Sequence, residues 1–137
     1  MDDYMAYRTL PKCRMVQLIR DFKFTYKNII YTIPGKFVFD GFSNPRLLWR
    51  VLPSSYGPRV LAPGCKHDFF YRTHDIPKDE ADRLLEFEVN ENGLGKSAAR
   101  CVYWGVKYGG KHAWKVGPEK PLTGLWGKAA ELQECKI

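Results

Sequence analysis

Pro63-Gly64-Cys65-Lys66-His67-Asp68-Phe69-Phe70-Tyr71-Arg72, followed ten residues later by Ala81-Asp82-Arg83, is the stretch on which the reading of this chain turns. Residues four apart share a helix face, so a helix through the first segment points His67 and Tyr71 the same way and turns Asp68 about 100° aside. The second segment opens at Ile76-Pro77-Lys78-Asp79-Glu80, with acidic residues in its first turn and Ala81, Leu84, Leu85 and Val89 (Phe87 nearby) at apolar positions. A connection as short as Thr73–Pro77 makes the two helices antiparallel neighbours and lets Asp82 approach the first. An imidazole with one nitrogen held by a carboxylate keeps a fixed tautomer and is a better base at the other. The same pair can equally be a polar staple between helices.

Working outward, the first forty residues read as β. Strands are expected at Arg14–Ile19, at Phe22–Tyr26 with strict alternation, at Asn28–Ile33 up to Pro34-Gly35, and at Lys36–Phe39 before the Asp40-Gly41 turn. Ser43-Asn44-Pro45 has the capping residue and first-turn proline of a short helix running to Leu52. Asn92-Gly93 ends the Asp82 helix, and Ser97–Tyr108 forms another with Ala98, Cys101, Val102 and Gly105 on one stripe, closed by Gly109-Gly110. Beyond Lys111 the pattern is less regular. His112 reads as loop, and Leu122, Leu125, Trp126, Ala129 and Leu132 suggest one last short helix. The fold class is α+β: a small N-terminal antiparallel β-sheet, then a helical bundle or hairpin carrying the His67 helix. A single domain is expected over 1–137, β-rich over about 14–40, helical over 43–110, with a C-terminal extension from 111.

Composition narrows the partners. Twenty-two Lys and Arg against 15 Asp and Glu leave a net charge of +7, which favours an anionic partner (nucleic acid, a phospholipid surface, or an acidic face in an assembly) or is simply a solvated surface. No zinc-finger or RNA-recognition signature is present, so sequence-specific nucleic-acid binding is not expected. No apolar run reaches the roughly 20 residues of a membrane span. Met1-Asp2-Asp3-Tyr4 lacks the start of a secretory signal. Cys13, Cys65, Cys101 and Cys135 include no CxxC pair; reduced thiols are expected, late oxidation in a particle would change that, and pairing stays open.

Two resemblances add to this. Ile33-Pro34-Gly35-Lys36-Phe37-Val38-Phe39-Asp40-Gly41-Phe42-Ser43-Asn44-Pro45-Arg46, then His67-Asp68-Phe69-Phe70-Tyr71-Arg72, then Ala81-Asp82-Arg83, then Val102–Gly109, closely resemble DUF1353, an uncharacterised family common in phages and prophages. The likeness spans roughly 14–110, departing at Phe39, where Thr is usual, and Phe42, where a small residue is usual. It implies a phage-encoded protein made in the host cytoplasm and placed in the virion as a tail, neck or capsid component, with other virion proteins as partners. The order of Asp40-Gly41, the His67-Asp68 helix and the later Asp82 is also similar to the bacterial and viral phospholipase A2 proteins. That likeness implies His67 as base, Asp82 as the carboxylate orienting it, Tyr71 in support, and Asp68 with Asp40 as Ca²⁺ ligands; the sequence has one glycine where those proteins carry a glycine-rich calcium loop. His74 and Asp75 read as turn residues, Ser43 as a helix cap, and the tryptophans as core or interface.

Overall fold

The computed structural model describes residues 4–10, 15–39 and 60–123. The fold is α+β, a small antiparallel sheet and a hairpin followed by helices. The chain divides into two compact units, residues 1–40 with 121–137, and residues 41–120.

In the first unit, β1 (Tyr7–Leu10), β2 (Met15–Leu18) and β5 (Val38–Phe39) form a sheet in the order β1-β2-β5, every pairing antiparallel. The central strand β2 is buried along its whole length; its one polar residue, Gln17, accepts from Arg8 and donates to the Lys36 carbonyl, as a buried amide must. Strands β3 (Phe22–Tyr26) and β4 (Ile29–Ile33) make a separate hairpin. Phe22 and Phe24 are buried while Lys23 and Thr25 are exposed, as the alternation requires. The hairpin turns on Lys27 and Asn28, both at positive φ (50° and 65°), the mirror-image turn whose twist matches the strands it joins. Strand β1 was not among the expected strands, because Tyr7–Leu10 has neither clear alternation nor a turn signal ahead of it.

The second unit is helical. Helix α1 spans Leu61–Thr73, α2 Lys78–Glu91, α3 Lys96–Gly109 and α4 Lys111–Val116, followed by a 3₁₀ turn at Gly117–Glu119. Helix α1 starts two residues ahead of Pro63; within the first turn the missing proline N–H leaves no helical bond unmade. Its C-cap is His74, in the left-handed region at φ 57°. Lys66 of α1 bonds Glu88 of α2 at 2.6 Å, while Tyr71, further along α1, bonds Asp82, earlier in α2. Partners running in opposite senses make the pair antiparallel, as the short connection implies.

Leu85 and Val89 of α2 meet Ala99, Val102 and Val106 of α3 in an apolar core with Val60, and Leu94 packs on it. This corrects the expected stripe of α3: Cys101 is exposed, and Ala99, Val102, Tyr103 and Val106 face inward. Tyr103 and Val106 bury more apolar area than Cys101 and Gly105 could, and the rotation of the helix follows the larger gain. On α2, Phe87 is exposed and Leu84 half-buried. His112 lies in α4, which corrects the loop reading; Gly109-Gly110 ends one helix but Gly110 also starts the next. Cys65, buried in α1, and exposed Cys101 are free thiols, and burial pushes the Cys65 thiol well up. The expected Ser43–Leu52 helix, the helix near Leu122–Leu132, Cys13 and Cys135 lie wholly or mostly outside the described residues. No helix among those residues is long and apolar enough to cross a membrane.

Candidate functional site

The centre of the site is Asp82, which is fully buried on the inner side of α2. Its Oδ1 lies 2.7 Å from His67 Nε2 and accepts the Tyr71 hydroxyl, also at 2.7 Å. Its Oδ2 accepts Lys78 Nζ at 2.8 Å. The i and i+4 positions on α1 thus deliver both side chains to one oxygen, with their rings 4.2 Å apart.

Three donors on one buried carboxylate settle its charge. Burial alone would raise the Asp82 pKa, but the bonds from His67, Lys78 and Tyr71 outweigh it and hold the group below its ordinary value. An ionised carboxylate only accepts, so His67 donates its Nε2 hydrogen to Asp82 and Nδ1 is the ring nitrogen left for another partner. Among the described residues Nδ1 has no hydrogen-bond partner, and the His67 side chain keeps 11% of its surface exposed. One nitrogen held and the other open is the geometry a general base needs. Tyr71 is locked as a donor: burial, and then its bond to Asp82, push its hydroxyl far above the usual tyrosine range.

Lys78 is the residue that sequence reading left without a role. Besides Asp82 it donates to the carbonyls of Val106 and Lys107, at 3.1 and 3.2 Å. Those carbonyls belong to the last turn of α3, at the negative end of its dipole, and the Val106 carbonyl also accepts the Gly110 N–H at 2.8 Å. One ammonium therefore caps α3 and neutralises Asp82. The Lys78–Asp82 spacing of four was the available signal, but nothing local announces the α3 carbonyls. Trp114 of α4 also joins, standing edge-on to Tyr71 at 5.1 Å and stacked on His74 at 3.7 Å, with His74 Nε2 2.9 Å from its carbonyl. Asp75, exposed beyond the end of α1, donates its backbone N–H to Thr73 Oγ1 as a turn residue does.

Of the two expected metal ligands, Asp68 is among the described residues. Asp68 lies outside the Asp82 network; its Oδ2 accepts Arg72 Nη2 at 2.9 Å, and Oδ1 accepts no hydrogen bond among the described residues. Asp40 lies outside the described residues. Among the described residues no group of three or more His, Cys, Asp and Glu side chains is placed to hold a metal ion.

Close approach fixes where Tyr71 stands. A Cβ built on Gly117 would lie 2.1 Å from the Tyr71 carbonyl oxygen, and one on Gly110 would lie 2.8 Å from the Tyr71 hydroxyl. Gly117→Ala is expected to cost about 1–3 kcal/mol by forcing the 3₁₀ turn off α1. Chemical denaturation of both proteins checks this, and an unchanged midpoint would show that the turn does not bear on the helix.

A family model described as "Protein of unknown function (DUF1353)" matches residues 16–106. No curated protein and no solved structure matches the chain.

Proposed function

The chain belongs to the DUF1353 family, and we propose that its His67 centre is the general base of a hydrolase similar in chemistry to calcium-dependent phospholipase A2. The observation that carries the reading is the pairing of His67 Nε2 with buried, ionised Asp82 at 2.7 Å, while Nδ1 has no hydrogen-bond partner among the described residues. A water at Nδ1 gives its proton to His67 as its oxygen attacks an ester carbonyl carbon. The tetrahedral oxyanion collapses, the carbon–oxygen bond to the alcohol breaks, and the imidazolium returns the proton to the departing alkoxide. The products are a carboxylic acid and an alcohol, for a phospholipid a fatty acid and a lysophospholipid. Asp82 holds the ring and offsets the charge it gains; Tyr71 and Lys78 hold Asp82.

A calcium ion would take Asp68, through its open Oδ1, and Asp40, and would supply positive charge toward the developing oxyanion. Arg72, bonded to the other Asp68 oxygen, competes for the same carboxylate. The setting we propose is a phage particle, as a tail, neck or capsid-associated component among other virion proteins. The likeness of the motifs to phage and prophage sequences supports it, and the net charge of +7 suits an anionic surface.

One observation favours a second reading, a structural virion protein in which the pair is a staple: Asp82 is saturated by three side-chain donors, one of which also caps α3. Fatty-acid release from phospholipid vesicles separates the two. The hydrolase reading expects release with calcium, loss on chelation, and loss in Asp68→Asn. No release by the wild type in either condition would leave the staple.

A further inference from the structure

Helix α3 and the short helix after it form a segment of one-sided charge. Residues 96–115 hold five Lys and Arg (Lys96, Arg100, Lys107, Lys111, Lys115) and no Asp or Glu. On the outer side of α3, Trp104 and Tyr108, one turn apart, are 43% and 62% exposed. They stack on each other with centroids 5.4 Å apart and planes 4° apart. Large rings held in water in a fixed arrangement mark a surface that meets something else.

The cations here divide into two kinds. Arg83 and Arg100 are bonded to Asp79 and Glu86, and both also lie over the Tyr103 ring. Lys107 differs: among the described residues no carboxylate bonds it. Its ammonium shares the Tyr103 ring with the two arginines, at 5.5 Å, and also stands 5.1 Å from the Trp104 ring and 5.9 Å from the Tyr108 ring. Rings flanked by an ammonium that no carboxylate bonds among the described residues suit an anionic surface with an apolar layer beneath its charge.

We propose that the outer face of α3, built on Trp104, Lys107 and Tyr108, docks on an anionic phospholipid bilayer. Tryptophan and tyrosine rings settle at headgroup depth, with the apolar body inward and the polar edge in water. Lysine lays its stem along them and keeps its charge among the anionic headgroups. The other polyanion, a single-stranded nucleic acid, also binds through rings and cations, and competition with single-stranded DNA separates it from the bilayer. The face also joins the hydrolytic centre: the Lys107 carbonyl accepts from Lys78, which holds Asp82. The proposal deepens the phospholipid reading and rests on it for the choice of lipid over other polyanions.

The test is sedimentation of the full chain with vesicles of ether-linked phosphatidylcholine, alone and mixed with phosphatidylglycerol. No esterase cleaves these lipids, so binding is read apart from turnover. Binding is expected only to the mixed vesicles and to fall with salt. Lys107→Glu, a change of two charges, should lower the partition by about tenfold or more. Trp104→Ala/Tyr108→Ala should abolish it, with an unchanged circular dichroism spectrum. Equal binding to both vesicle types, wild-type partition in both variants, or displacement by single-stranded DNA at equal salt would overturn the proposal. Partition without fatty-acid release from ester vesicles would count against the hydrolase reading alone, and release without partition against the docking face alone.

Discussion

Asp82→Ala is expected to destabilise the protein by about 3–5 kcal/mol, the cost of removing one partner from a buried ion pair. The substitution strands His67, Tyr71 and Lys78 together, since all three spend a donor on that carboxylate. The loss should fall toward the lower figure because the Lys78 side chain is 20% exposed and can turn to water. Asp82→Asn keeps the shape but has only one oxygen to accept with, and should cost less. The pH dependence follows from the depressed Asp82 pKa. A group that holds its proton less tightly folded than unfolded stabilises the native state fully above its unfolded value, near 3.8. That contribution is lost as pH falls below this value and through the lower folded pKa. Urea midpoints of the wild type and Asp82→Asn, followed from neutral pH to pH 2, should therefore converge below about pH 4. A gap that persists to the lowest pH would mean that Asp82 is not the ionised hub its donors imply.

The second large effect concerns activity. His67→Asn is expected to lower ester hydrolysis by about 10²–10⁴-fold, the usual share of a positioned base, while the protein keeps its fold. The side chain sits at the edge of the buried cluster with one nitrogen open, so its removal leaves Asp82 bonded by Tyr71 and Lys78. The contrast between the two variants is the informative part. If the site is a staple only, His67→Asn should behave as a milder Asp82→Ala, with a stability loss of about 1–3 kcal/mol and no activity to lose. Thermal midpoints and fatty-acid release measured on the same samples decide between them.

The residues that were legible before the structure are those tied by short-range rules. The alternation of Phe22-Lys23-Phe24-Thr25, the four-residue spacing of His67 and Tyr71, and the short connection to the Asp82 helix are local. Each appears in the fold as expected. The extent of α3 was legible too, but its rotation was not. Ala98 and Ala99, or Cys101 and Val102, are neighbours that a single turn cannot rank; contact with Leu85 and Val89 of α2 ranks them. Asp68 was legible in direction only: one residue along a helix turns it about 100° from His67, and the structure adds that its partner there is Arg72.

By itself, then, the sequence determined an α+β chain with an antiparallel helix pair bringing His67, Tyr71 and Asp82 within reach, because helical and strand periods are properties of neighbouring residues. Only the tertiary structure decided which imidazole nitrogen is left open, that Lys78 joins Asp82 to the end of α3, and that Trp114 closes on Tyr71. Those contacts join residues 15, 28 and 43 positions apart. Their energy comes from burying charge and ring surface where helices cross, and no spacing along one helix encodes where another will cross it.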